Sequence, residues 1–340
     1  MDEQIRSILV CPRCQGCDLS QMDHQFVCCD CRSTYPIVDG IPVFLPENLN
    51  DFKRREAEYH SEGVDFFDDV HRLDKLRNSY YHDDALSHVL KLPRGALVLE
   101  LAGGVGHDAY KLMAGGMNLV ETDIALECVR ETRRRAKLSM LPLPGLSATY
   151  MVIDAEMVPF APDSFDAIFI CAALHHLPDP LVGLKQMRAC VKEDGLIVVS
   201  MEPSAWPYHT FYPVVLPLFW KIVALGRLVT RPREFFRTSR LVRRIRARLN
   251  GVSPIESQEQ ECRGESPGDE STQGFSLQAI RKLLDAADLE LVSVRRVFYL
   301  NGLIQESPHL CQKEIPLQIE RWLIAFDEVL ACLPFLKCLN

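Results

Sequence analysis

The sequence lacks an excess of positive charge, a secretion signal and a clear membrane span. Its 38 Lys and Arg residues stand against 46 Asp and Glu residues, so it has no overall positive field of the kind that drives non-specific nucleic-acid binding. Residues 1–4 (MDEQ) are acidic and precede only a short apolar run, unlike the basic start and long apolar stretch of a signal peptide. The apolar run 211–225 contains Pro213, Pro217 and Lys221 and is shorter than the ~20 residues of a spanning helix. We therefore expect a cytoplasmic protein.

Cysteine is plentiful but unevenly placed. Six of the 13 cysteines lie in the first tenth of the chain, which favours a metal site over a disulfide framework. Two C-x-x-C pairs supply four thiolates, enough for a closed, tetrahedral and therefore structural Zn²⁺ site. The predicted ligands are Cys11, Cys14, Cys28 and Cys31. Two alternatives stay open, an iron–sulfur cluster and metal-free thiols, and Cys17 or Cys29 could replace one of the four.

The same segment resembles a known family. The two cysteine pairs are followed by 35–45, YPIVDGIPVFL, and this combination over 5–46 is similar to the zinc-ribbon domain of the tRNA-methyltransferase activator family, which also begins many bacterial methyltransferases. The resemblance implies a role in scaffolding or partner contact rather than in chemistry. We expect residues 1–46 to form a small domain with too little apolar mass to fold without a metal.

After a polar linker predicted at 47–75 and a helix at 80–92, strands alternate with helices. Such alternation predicts βαβ units and a parallel sheet that is buried on both faces. The predicted strands are 96–101, 117–122, 148–153, 164–170 and 195–201, and the predicted helices are 108–114, 125–137 and 180–191. A helix at 277–287 with Ser276 as N-cap and β-rich residues 289–300 would complete the sheet, and a terminal helix is expected at 315–336.

A glycine-rich turn follows the first strand of this sheet. Gly104 and Gly106 let the backbone approach a ligand at a helix N-terminus. With Ala109 and with Asp123 further on, the turn also satisfies a permissive dinucleotide fingerprint, so an NAD site is one interpretation. Glu100 inside the strand favours a cationic ligand instead, and Asp154 ends the third strand, where it is suited to an adenine amino group.

These motifs together resemble the class I S-adenosylmethionine-dependent methyltransferases, specifically methyltransferase type 11 of the quinone and small-molecule subgroup, which carries a DAE-x-x-PF-x-x-x-SFD run like that at 154–166. The resemblance spans about 76–205 with 275–300. It implies a Rossmann-like α/β fold, a seven-stranded sheet with helices on both faces, and S-adenosylmethionine as methyl donor. Carried over, the donor site comprises Glu100, Ala102, Gly104, Gly106, Asp123, Asp154 and Ala155. Ala102 stands where the family usually has glycine.

His175 and His176 follow the fourth strand, at the sheet edge where ligands bind. A histidine there could deprotonate an acceptor hydroxyl; equally, both could serve only to stabilise the loop. Methyl transfer itself is an in-line displacement that depends mainly on alignment and has no obligatory base.

The domain organisation predicted from these motifs has six parts. They are the zinc ribbon 1–46, the linker 47–75, the donor-binding core 76–204, an insertion or substrate lid 205–272, the last core elements 273–300 and a helical extension 301–340.

The insertion is expected to set acceptor choice. Its apolar run and nine arginines within 227–248 suit an anionic lipid surface, which predicts peripheral contact with the inner membrane face through 211–248 and a small-molecule or lipid-like acceptor. The same arginines would suit RNA, so an rRNA or tRNA methyltransferase is an alternative. A solvated helix is a third interpretation of this segment. A non-catalytic binding module that keeps the fold is a further alternative function, and the sequence specifies no oligomeric state.

Overall fold

The computed structural model of the chain describes residues 2–71, 73–203, 274–295 and 316–332. The insertion predicted at 205–272, with its segment 211–248, lies outside these residues. So does most of the extension predicted at 301–340.

The described residues form nine strands, nine α-helices and one 3₁₀ turn. The strands are β1 (Leu19–Met22), β2 (Gln25–Cys28), β3 (Thr34–Val38), β4 (Ile41–Phe44), β5 (Leu97–Leu101), β6 (Asn118–Asp123), β7 (Ala148–Ile153), β8 (Phe165–Cys171) and β9 (Val191–Ser200). The helices are α1 (Glu3–Ser7), α2 (Asp51–Glu62), α3 (Val64–His71), α4 (Leu76–Val89), α5 (His107–Ala114), α6 (Leu126–Leu138), α7 (Pro180–Cys190), α8 (Leu277–Ala286) and α9 (Leu317–Cys332), and the 3₁₀ turn is Leu174–His176.

One sheet runs through the molecule in the order β1-β2-β3-β4-β7-β6-β5-β8-β9. The strands from β4 to β9 pair in parallel, whereas β1 to β4 are antiparallel to one another. The carboxyl ends of β5 to β8 therefore meet at one edge, where ligands bind in open α/β sheets. The prediction of an α/β fold with a large parallel sheet is confirmed.

The N-terminal domain is joined to the core by backbone pairing. Val43 and Phe44 of β4 lie beside Val152 and Ile153 of β7, and a backbone hydrogen bond of 3.0 Å runs from the Val10 N–H to the Pro159 carbonyl. Phe44 is fully buried and belongs to the same apolar cluster as residues of β5 and β8. The core therefore supplies apolar contacts that the small N-terminal domain lacks by itself.

The sheet differs from the seven strands expected from the family resemblance. It has nine strands in the described part of the chain because the N-terminal domain contributes four of them. The β-rich prediction at 289–300 fails over its described portion, since residues 289–295 contain no strand, and 296–300 lie outside the described residues. The preceding helix α8 begins as predicted, with the Ser276 side chain accepting a hydrogen bond from the Ala279 N–H.

The segment predicted as a linker, 47–75, instead contains α2 and α3. Asn50 caps α2 by accepting a hydrogen bond from the Lys53 N–H at 2.8 Å, which satisfies a free donor of the first turn. Val64 and Phe67 of α3 pack on a small cluster at the start of α6. The two helices thus cover the carboxyl edge of the sheet.

The terminal helix α9 packs on α4 through polar contacts, among them a 3.1 Å hydrogen bond from the Tyr81 hydroxyl to buried Asp327. Its other face exposes Ile319, Trp322 and Phe326, with Trp322 77% exposed. No helix among the described residues is long and apolar enough to span a bilayer.

Candidate functional site

The turn after β5 adopts left-handed backbone at three positions. Ala102, Gly104 and Gly106 have φ of +53°, +57° and +78°. A Cβ at Gly106 would lie 2.2 Å from Thr132 Cγ2 of α6, so this position must be glycine, whereas a Cβ at Gly104 would meet nothing within 4 Å. Gly104 therefore faces open space. The alanine at 102 keeps the turn, although left-handed backbone costs an L-residue about 1–2 kcal/mol.

Asp123, at the end of β6, fixes this turn. One carboxylate oxygen accepts a hydrogen bond from the Gly104 N–H at 2.9 Å, and the other accepts from the Ala125 N–H at 2.7 Å. Asp123 is buried, so the two N–H groups compensate for its desolvation. The structure thus brings together Gly104 and Asp123, which were both predicted to bind the donor.

Glu100 and Glu121 form the floor beneath the turn. They lie directly opposite each other in the parallel register of β5 and β6 and are 2% and 0% exposed. A Cβ at Gly103 would lie 3.1 Å from both Glu100 Cδ and Glu121 Oε1. Oε2 of Glu100 and both carboxyl oxygens of Glu121 lack a hydrogen-bond partner within the described structure.

Burial raises the pKa of both carboxyls well above the ordinary value. The negative charges of Asp108 and Asp123 raise the pKa of Glu100 further, and Glu100 and Asp123 do the same for Glu121. Such a pair would be stabilised by a cationic ligand. Glu121 was not predicted from the sequence, although an acid inside the buried strand NLVETD repeats the signal of Glu100 inside LVLEL.

Asp154 is held by α2. Its Oδ2 lies 2.6 Å from Lys53 Nζ, and its Oδ1 accepts a hydrogen bond from the Glu156 N–H at 2.9 Å. Lys53 also pairs with Glu156. Asp154 is 2% exposed and Ala155, the next predicted donor-site residue, is half-buried. The ammonium group of Lys53 therefore pairs with the Asp154 carboxylate, which was predicted to bind the adenine.

The two predicted catalytic histidines have different partners. Glu202 accepts hydrogen bonds from the backbone N–H groups of 173–175 and lies 2.9 Å from His175 Nδ1. His176 Nδ1 lies 3.0 Å from Glu56 Oε2 of α2. The structure places both side chains at the carboxyl end of β8. Glu202 and Glu56, which hold the two histidines there, were not predicted from the sequence.

The observed residues suit the methionine end of S-adenosylmethionine. The open space at Gly104 and the buried, unpartnered oxygen of Glu100 match a ligand with an ammonium and a sulfonium group. At the adenine end, Lys53 on Asp154 would have to shift for that carboxylate to accept an amino group.

The four predicted zinc ligands converge. The sulfur atoms of Cys11, Cys14, Cys28 and Cys31 all lie within 4.8 Å of one another. The pairs 11–31 and 14–28 are 3.6 Å apart, close to the ~3.8 Å expected between thiolates around tetrahedral Zn²⁺. These thiols fit a structural zinc ion.

Comparison with protein families identifies two domains. Residues 99–199 match the family described as a methyltransferase domain, and residues 5–40 match the family of Trm112p-like proteins. The chain thus carries a methyltransferase domain behind a Trm112p-like domain, as the sequence analysis predicted.

Individual relatives cover only part of the chain. It is 31% identical over 127 residues to a demethylmenaquinone methyltransferase of Beutenbergia cavernae, covering 37% of this chain and 49% of that protein. It is 29% identical over 154 residues to a ubiquinone/menaquinone biosynthesis C-methyltransferase of Coxiella burnetii, covering 43% and 59%. The chain therefore spans about half the length of the curated relatives it matches. A solved complex of the Haloferax volcanii Trm112 methyltransferase activator with a methyltransferase is 22% identical, with coverage of 44% and 60% and a TM-score of 0.34.

Proposed function

We propose that this protein is an S-adenosylmethionine-dependent methyltransferase that acts on a small, quinone-like and lipid-like acceptor. The observation that carries the proposal is the turn at Gly104, which opens to space above the buried carboxyls of Glu100 and Glu121. A cationic, adenosine-containing donor complements this arrangement, and the turn lies within the methyltransferase domain.

Each predicted donor-site residue has a proposed part. Ala102, Gly104 and Gly106 approach the methionine portion, above Glu100. Asp123, at the end of β6, binds the ribose hydroxyls, and Asp154 with the Ala155 backbone binds adenine once Lys53 has shifted. Bound S-adenosylmethionine supplies a methyl group on a positively charged sulfur. The chain's contribution is to align the acceptor with that group and to exclude water, and alignment can lower a barrier by roughly 7–11 kcal/mol.

His175 is the better placed of the two histidines to take a proton from an acceptor hydroxyl. Its side chain is buried beside Glu202, at 2.9 Å, and a carboxylate stabilises the imidazolium form and fixes the ring. His176 faces α2 instead, through Glu56.

The acceptor class rests on the relatives, which are named as demethylmenaquinone and ubiquinone/menaquinone methyltransferases. The exposed apolar face of α9 is consistent with an acceptor that carries an apolar tail. We also propose that the protein is cytoplasmic and that it contacts the membrane surface peripherally through 211–248.

The proposal is tested by titrating the full chain with S-adenosylmethionine in a calorimeter. We expect saturable binding that weakens at least ~10-fold in Asp123→Asn, because the ribose loses its carboxylate and the turn loses one of the two oxygens that accept its backbone N–H groups. The matched control is Asp163→Asn, the same change at an exposed turn, and its affinity should equal that of the wild type. Binding of NADH without binding of S-adenosylmethionine would overturn the proposal.

Turnover is measured with radiolabelled donor and a short-chain demethylated hydroquinone. Label should enter the hydroquinone. Transfer of label to RNA and not to the hydroquinone would replace the proposed acceptor with the RNA alternative, whereas donor binding without any transfer would favour the binding module.

A further inference from the structure

We infer that Glu56, His60 and His176 form a binding site for a divalent transition-metal ion. One ligand atom from each side chain lies within 4.8 Å of the other two. Two imidazoles and one carboxylate are one of the ligand sets of catalytic Zn²⁺ and the set that binds Fe²⁺ in non-haem oxygenases, and both kinds of site keep further coordination positions open. This set is separate from the four cysteines of the N-terminal domain.

The distances suit a shared ion. Glu56 Oε2 lies 3.3 Å from His60 Nε2 and 3.0 Å from His176 Nδ1. Ligand atoms bound to one such ion at about 2.0–2.2 Å lie about 3.3 Å apart in a tetrahedral site and about 2.9 Å apart in an octahedral site. Two of the three pairs of ligand atoms therefore already have the separation that one ion requires, and the third pair, between the two imidazoles, lies within 4.8 Å.

The fold holds these side chains in place before any ion binds. Glu56 and His60 are four residues apart on α2 and so share one helix face. The His60 ring packs against Phe67 of α3 at 4.8 Å between centroids. The His176 ring packs on His175 at 4.1 Å, and His175 is fixed by Glu202. Such support outside the ligand set is typical of metal sites.

The location gives the site a use that rests on the proposed function. His176 follows β8 and adjoins His175, the proposed proton acceptor, at the sheet edge that would receive the acceptor. An ion here would bind oxygen atoms of a quinone-like acceptor at its open positions and so orient it toward the methyl donor.

The inference is tested by counting metal ions. The full chain is dialysed against Zn²⁺, separated from free ion, and analysed by mass spectrometry for zinc per chain. We expect two equivalents in the wild type, one in the cysteine set and one here, and one equivalent in Glu56→Gln and in His60→Gln. The matched control is His88→Gln, on α4 and outside the cluster, which should retain two.

A second measurement detects an ion that is bound too weakly to survive separation. Co²⁺ is titrated calorimetrically into the zinc-loaded chain. If the site of Glu56, His60 and His176 has lost its zinc during separation, His88→Gln should bind one equivalent of Co²⁺ and Glu56→Gln should bind none. One zinc equivalent in the wild type with no Co²⁺ binding, or identical metal content in all variants, would overturn the inference and leave a hydrogen-bonded triad. Neither measurement uses S-adenosylmethionine, so a failure here is distinct from a failure of the proposed function.

Discussion

Glu100 and Glu121 place two carboxyls side by side in a region that excludes water. Because burial raises the pKa of both, the folded chain retains protons that the unfolded chain releases near the ordinary carboxyl pKa of about 4.3. Stability linked to these groups is fully present below that value. It is lost as the pH rises from there toward the raised pKa of the folded chain.

Replacing Glu121 with Gln removes one of the two carboxyls that bind a proton in the folded chain but release it in the unfolded chain. We expect the free energy of unfolding of the wild type to fall as the pH rises from 5 to 8. That of Glu121→Gln should fall less steeply, and the two slopes should differ by up to about 1.4 kcal/mol per pH unit. Urea unfolding at four pH values measures both slopes. Glu127→Gln, at an exposed position of α6, is the control and should follow the wild type; identical slopes in all three proteins would contradict this reasoning.

The two acids also show what the sequence reveals about single residues. Glu100 was predicted because it adjoins a glycine turn, a pattern that is local in the chain. Glu121 acquires its importance from the register of β5 against β6, which no local pattern specifies. The same applies to Glu202, which holds His175 from the end of another strand.

Among the elements, α2 is the one that most changes the site. Lys53 reaches from it to Asp154 and Glu156 at the end of β7, and all three side chains are at most 10% exposed. Burial alone would lower the pKa of Lys53, but hydrogen bonds to the two acids raise it. The ion pairs therefore connect α2 to the sheet edge.

Removing this charge should loosen that connection. In Lys53→Met two buried carboxylates lose their partner, and we expect the free energy of unfolding to fall by about 3 kcal/mol. Asp154→Asn added to Lys53→Met should recover part of the loss, as measured by urea unfolding in a double-mutant cycle. A double variant no more stable than Lys53→Met would show that the pairing is not what stabilises α2.

Helix α2, which lies within the segment predicted as a linker at 47–75, was not predicted from the sequence. Helices are found from apolar residues at helical spacing, but the buried positions of α2 are Lys53 and Glu56. In contrast, β5 to β8 and α5 to α7 bury aliphatic residues and were predicted close to their observed bounds.

At the scale of the whole molecule, the Trm112p-like domain and the methyltransferase domain share one apolar core. Phe44 of β4 stacks on Tyr35 at 4.7 Å and belongs to the cluster that includes Leu99 and Ile168 of the central strands. Strand pairing between β4 and β7 adds backbone hydrogen bonds to this contact. The two domains should therefore unfold together.

Phe44→Ala tests this cooperativity. Removing a fully buried phenylalanine should cost about 3–5 kcal/mol and should shift one unfolding transition for the whole chain. Hydrogen exchange would then show equal losses of protection in β2 and in β6. Phe326→Ala, at a half-exposed position of α9, is the control and should change stability little. Loss of protection in β2 alone would mean that the domains unfold independently.

The pairing of β4 with β7 also has a consequence for biosynthesis. Residues 43 and 44 leave the ribosome about a hundred residues before their partners at 152 and 153. During that interval the first four strands have no sheet to extend, and the entropy of closing so long a loop opposes early docking. The nascent N-terminal segment must therefore wait for β7 before it reaches its final position. Until then it depends on the antiparallel pairing of β1 to β4 and on any metal ion that its four cysteines hold.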